Sequence, residues 1–187
     1  MLIKLLPEDQ KMHLLDLAKL LTLCDKPLLW NGLSKDELTS DTDLDALSIQ
    51  QGERENELLS DLVQSVASRL WPMSNREASI ENMLKEKLKA SPLIKIDTVE
   101  NRVQAAMAVL KTLLEEKCTD APAVPKIILF QLILVALLDG KISTIKWSLL
   151  KEIQRHYQLQ DFIFEDLLER AEALNNEMSK IISLVLE

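Results

Sequence analysis

The sequence predicts an all-α protein, a bundle of about seven to eight helices built as two related halves around a central apolar helix. Three observations carry this. Apolar residues recur at steps of three and four along most of the chain. Helix-start signatures punctuate it at Ser34-Lys-Asp-Glu37, Ser74-Asn-Arg-Glu77 and the variant Asp97-Thr-Val-Glu100. The run Ile127 to Leu138 carries one polar side chain, Gln131, and no charge. A helix apolar on every side has no face to give to water, so it belongs at the centre. A membrane span needs ~20 apolar residues, and this run stops short at Asp139. A parallel strand would suit Ile, Val and Leu equally. Helical neighbours and only 3 glycines decide against it.

The chain's 187 residues suit one domain, 1–187, with a weak internal repeat over about 7–39 and 121–159. A formal net charge of −8 argues against nucleic acid as a partner, because phosphate binding needs clustered Lys and Arg. It disfavours simple charge adhesion to anionic lipid as well. The apolar start MLIKLL is too short for a signal peptide, so a cytoplasmic location is expected. Cys24 and Cys118 sit in or beside apolar helical patterns, where reduced thiols are expected.

Taken in order, Pro7-Glu8-Asp9 opens a helix that runs to about Cys24. Leu14, Ala18, Leu21 and either Leu17 or Cys24 form its buried stripe, with Asp16 and Lys19 facing water. Leu28-Leu29-Trp30 is an apolar loop. Residues 39–55, acidic and polar, are an irregular connection holding a short helix. A helix over about 54–70 presents Leu58, Leu62, Val66 and Leu70, and Trp71-Pro72 ends it. The next, about 75–90, presents Ile80, Met83, Leu84 and Leu88. Residues 98–117 give a stripe of Val99, Val103, Ala106, Leu110 and Leu113 or Leu114, with charges opposite. After the Asp139-Gly140 turn, a helix over 144–158 presents Trp147, Leu150 and Ile153. Gln160-Asp161 opens the last helix, whose seam is Leu167, Ala171, Leu174, Met178, Ile181 and Val185, interrupted at Asn175-Asn176. Ile181 to Leu186 is more apolar than one face requires. It either packs back on the core or meets a second copy.

Placing Asp25 on Asp139 aligns two apolar helices, each followed by an acidic turn and a serine cap, Ser34 and Ser143. Here the sequence resembles the TerB-like family, named for tellurite resistance. Leu134-Val-Ala-Leu-Leu-Asp-Gly-Lys-Ile-Ser143 carries the resemblance, with Leu150 and the stretch Leu159 to Leu168 behind it. Pro7 to Asp25 is a fainter match to the family's first half. The resemblance implies an all-α bundle with paired acidic turns, Asp-Gly followed by a glutamate seven positions past the Asp, whose acids hold a metal ion. It also implies a cytosolic, non-enzymatic stress or signalling adaptor, in some members near membrane proteins. This chain departs from that pattern. The position seven past Asp139 is Lys146, Lys26 replaces the first turn's glycine, and seven past Asp25 lies Gly32. Glu37, following its cap Ser34 as Lys146 follows Ser143, fills the first acidic position. The candidate metal-site residues are therefore Asp25, Glu37 and Asp139, and two readings of Lys146 stay open: its ammonium stands in for the ion, paired with Asp25, Glu37 or Asp139, or it points to solvent. An EF-hand is excluded, because Val135 and Leu137 would fall at its first two ligand positions.

No catalytic set emerges. Glu152 and His156 lie one helical turn apart and read as a surface pair near Tyr157. There is no phosphate loop, nucleophile elbow or metal-type cysteine spacing. No cofactor is expected. The functional expectation is an interaction module with a protein partner or a second copy at the C-terminal helix, without an integral membrane segment and compatible with peripheral membrane association. A small-molecule or lipid-binding bundle is the alternative, motivated by the many leucines and the Trp30 segment.

Overall fold

A computed structural model describes residues 2–66, 74–115 and 121–186. Seven α-helices are described, α1 Glu8–Leu23, α2 Glu53–Val66, α3 Ser74–Lys89, α4 Val99–Glu115, α5 Val124–Ala136, α6 Thr144–His156 and α7 Asp161–Leu186. The all-α expectation holds, with one small addition. Two short strands, β1 Leu28–Trp30 and β2 Leu47–Ile49, pair antiparallel with Leu28 opposite Ile49.

Among the described helices, α5 lies at the centre as expected, and α1 shares that position with it. α5 is buried through Ile128, Leu129, Leu132, Ile133 and Ala136, as an uncharged run requires. α1 packs directly against it. Around α1 stand α2, α3 and α4; around α5 stand α6 and α7; α4 also contacts α6 and closes the ring. Being surrounded, α1 is buried on faces that its polar residues mark as solvent. Asp16 and Lys19, expected in water, are both buried. A charge withdrawn from water needs a partner. Lys19 finds one in Gln51, which in turn donates to Glu81 of α3. His13 is buried too, its Nε2 hydrogen-bonded to the Tyr157 hydroxyl at 3.0 Å.

Other helix faces are rotated by about one position from the expected stripes. Leu59 is buried with Leu62 in α2, while Leu58 is half-buried. In α4 the core face is Ala105, Ala106, Val109, Leu110 and Leu114, and Val99 is exposed. Arg102, placed among the solvent charges, is buried. In α6, Ile145, Leu149, Leu150 and Ile153 are buried while Trp147 stays part-exposed, edge-to-face on Phe164 of α7. α3 buries Ile80, Leu84 and Leu88 as read. Val66, Leu70, Trp71, Cys118 and the Ser74 cap concern side chains outside those described.

Residues 28–49 differ most from expectation. Asn31 and Gly32 both hold positive φ, 50° and 84°, as a two-residue hairpin turn demands. Trp30 and Leu33 exchange backbone hydrogen bonds across it at 2.8 and 2.9 Å. Leu28 and Trp30 then alternate with Leu29, and Leu47 and Ile49 with Ser48, so that one face of the ribbon meets the core. The Ser34 box opens only a 3₁₀ turn, Lys35–Glu37.

Candidate functional site

The two acidic turns meet at one place. α1 ends at Leu23, with Cys24 as its cap, so Asp25 and Lys26 leave the helix together. α5 passes into a 3₁₀ turn, Leu137–Asp139, which Gly140 closes in the left-handed conformation, φ 79°. Ser143 caps α6, accepting from the Lys146 N–H at 3.3 Å. These ends converge because α1 and α5 pack against each other and α6 folds back on α5.

Lys146 lies at the convergence. Its side chain is 1% exposed, and its Nζ sits 3.0 Å from Asp139 Oδ2 and 3.4 Å from Asp25 Oδ2. Asp25 is 16% exposed and Asp139 42%. Asp139 Oδ2 also receives Lys26 Nζ at 3.3 Å, and Lys26 pairs with the buried Glu55 of α2. The result is a chain of alternating charges, Asp25, Lys146, Asp139, Lys26 and Glu55. Gly52 leaves room for its last member, since a Cβ there would displace the Glu55 carboxylate. Arg102 fastens the same turn from the other side. Its guanidinium donates to the carbonyls of Cys24 and Lys26 and to Asp97 Oδ1. These carbonyls follow the end of α1, where a cation is favoured.

The electrostatics follow from these contacts. Partial burial works against the charged form of Asp139, yet the Lys146 hydrogen bond and charge, then Lys26, outweigh it and hold the carboxyl below the usual range. Burial likewise opposes the Lys26 ammonium, but Glu55 and Asp139 raise it above its ordinary value. Burial, with Asp25 adding to it, pushes the Cys24 thiol far up, so it is a neutral thiol whose S–H points at the Leu21 carbonyl.

Of the sequence-derived candidates, Asp25, Asp139 and Lys146 come together. Glu37 does not contribute a charge to this cluster. Its carboxylate accepts from both the Ser34 N–H and hydroxyl, at 2.8 and 2.6 Å, and those bonds hold it below the usual carboxylate range. Among the described residues, no group of three or more His, Cys, Asp or Glu side chains is arranged to hold a metal ion. Three members of the network, Lys26, Glu55 and Arg102, were not anticipated. Lys26 had a signal, since it occupies the glycine position of the aligned turn. Glu152, expected opposite His156, instead pairs with Arg155 at 2.9 Å, and the His156 ring stacks edge-on against Tyr157.

A second feature lies at the far end of the chain. α7 passes Asn175-Asn176 without a break and runs 26 residues. Ala171 is buried, but the side chains from Leu174 to Val185 leave the bundle, and they do not pack back on the core. A cleft of about 390 Å³ opens where the helix departs, walled by Leu137, Gly140, Lys141, Trp147, Glu172 and Asn176 among others.

The architecture defines an all-α bundle of seven described helices around two buried ones. Comparison with protein-family models, curated proteins and solved structures finds no match. No helix among the described residues is long and apolar enough to cross a membrane.

Proposed function

We propose that the protein is a non-enzymatic, TerB-like helical interaction module of the cytosol, whose business end is the projecting half of α7. The observation that carries this reading is the row of large aliphatic side chains from Leu174 to Val185, 45% to 76% exposed on one helix. Contiguous apolar surface of this kind marks a contact with another macromolecule. The TerB-like reading draws support from the paired turns, where Asp25 and Asp139 face each other across Lys146. On this reading the ammonium replaces the metal ion that ties such turns together, and the network is structural, freeing the C-terminal helix to serve as the recognition element. Stress response or signalling is the class of role this implies.

The test is retention of a protein through this face. Tagged wild-type chain should retain a protein partner, or a second copy, and Ile182→Asp should release it while melting normally. A chain that is strictly monomeric and retains nothing through α7 would overturn the reading. A lipid- or small-molecule-binding role keeps one supporting feature. An apolar cleft of about 280 Å³ is lined by Leu2, Ile127, Phe130 and Leu167 together with Lys126 and Arg170. That arrangement suits an amphiphile with an acidic head. Saturable binding of a fatty acid, abolished by Phe130→Asp, would favour that reading.

A further inference from the structure

We infer that the projecting half of α7 is covered by the same segment of a second copy of this chain, the two running antiparallel. This rests on reading the chain as an interaction module and names the partner. The seam Leu167, Ala171, Leu174, Met178, Ile181, Val185 alternates steps of four and three without a fault. Such a period of 3.5 is the spacing at which one helix covers another over length. Its first part packs on α5 and the adjoining 3₁₀ turn, and Ala171 there is fully buried. Its second part keeps the spacing but has left the bundle. The pattern is therefore continuous while its covering is not.

Area and charge select the occupant. Leu174, Met178, Ile181, Ile182, Leu184 and Val185 are each 45% to 76% exposed. Together they offer on the order of 600 Å² of side chain, comparable with the ~800 Å² per partner of a standard interface. Between 173 and 185 the only charges are Glu177 and Lys180, paired with each other at 2.7 Å. The face is thus neutral, and a second copy meets no repulsion along it. The chains as wholes are not neutral. At −8 each, a parallel arrangement would press two acidic bundles side by side, whereas the antiparallel one sets them at opposite ends of the shared helices. In that register Val185 of one copy lies opposite Leu174 of the other, and Met178 opposite Ile181. The end of each seam then arrives at the cleft where the other α7 leaves its bundle, beside Trp147 and Asn176.

Light scattering of the full chain over a range of concentrations tests the inference. The wild-type 21.3 kDa chain should weigh twice that. Ile181→Glu and Met178→Lys should each be monomeric, with the circular dichroism of a folded bundle and a melting temperature that no longer depends on concentration, because both positions are exposed within one copy. An equimolar mixture of the two variants should recover the double mass, since the antiparallel register places Glu against Lys. A wild-type monomer overturns the inference while leaving the module reading open to a different protein. A double mass that survives Ile181→Glu places the contact elsewhere and overturns it too. If the mixture stays monomeric, or if Ile181→Lys with Ile181→Glu recovers the dimer instead, the antiparallel register is wrong.

Discussion

Lys146→Met removes an ammonium while keeping most of the side chain's volume. Two carboxylates lose a partner, but not equally. Asp139 is 42% exposed and keeps Lys26 at 3.3 Å, so its share of the interaction is ~0–1 kcal/mol. Asp25 is 16% exposed, and its Oδ1 is already buried without a hydrogen-bond partner. Losing Lys146 leaves that carboxylate largely buried and unpaired, a situation that costs ~3–5 kcal/mol in comparable cases. Relief from burying the ammonium itself recovers part of this, so a net loss of about 3 kcal/mol is expected. For a chain this long that is a fall in melting temperature of roughly 6–12 °C. Urea unfolding with intrinsic tryptophan fluorescence would measure it. The decisive comparison is Asp25→Asn in both backgrounds. In the wild type it should destabilise, by stripping Lys146 of its better-buried partner. In Lys146→Met it should stabilise, by discharging the orphaned acid. A loss under ~0.5 kcal/mol for Lys146→Met, or an Asp25→Asn effect of the same sign and size in both, would refute the coupling.

Lys146→Glu should destabilise further in the absence of metal, and millimolar calcium should restore part of the melting temperature, because three carboxylates then converge; the wild type should not respond to calcium. Acid sensitivity should change as well. The folded Asp139 carboxyl is held below its unfolded value near 3.8, so its contribution is full above that pH and is lost as pH falls through the depressed folded value. Lys146→Met should flatten that acid limb. Lys26 is the converse case. Held above 10.5 in the folded state, it contributes fully below that value and loses its contribution as pH rises through the raised one, which an alkaline titration of stability would register. Arg102→Met should cost ~2–4 kcal/mol in urea, since the carbonyls of Cys24 and Lys26 lose a charged donor. A cost below ~0.5 kcal/mol would mean water serves them as well.

How far the residues alone led depends on what each conclusion required. The burial of α5 followed from composition, because an uncharged helix has one acceptable environment. The turn at Asp139-Gly140 and the Ser143 cap are local chemistry, set by a left-handed glycine and an early backbone N–H, and they stand where the sequence places them. α1 was misjudged for the opposite reason. Its polar residues mark a solvent face, yet how many neighbours surround a helix is a tertiary matter, and Lys19 is buried by elements far along the chain. Arg102 hid likewise. A lone cation on an amphipathic helix reads as solvated unless the ends of another helix are known to lie beneath it. The turn after β1 was legible and overlooked. Asn31-Gly32 is a strong short turn signal, but the turn closes only the single bridge between Trp30 and Leu33, and the strand that pairs with β1 begins far beyond it at Leu47, so the turn does not announce the ribbon. At the site, Asp139 and Lys146 were linked by their spacing of seven. Glu37 was misassigned because its backbone cap consumes the carboxylate that the alignment had reserved for the cluster.

The polar positions of α1 carry one more consequence. His13 is tied to Tyr157 beyond the end of α6, and Lys19 to Gln51 ahead of α2. The two anchors point to segments that share no strand or helix. A helix lined only with leucines could turn about its axis, or slide by one residue, and find new hollows of nearly the same depth. α1 has no such neighbouring solution, since a turn of one position would strand a buried ammonium and a buried imidazole together. Its setting inside the bundle is thereby singular, and the segments around it inherit their positions from it.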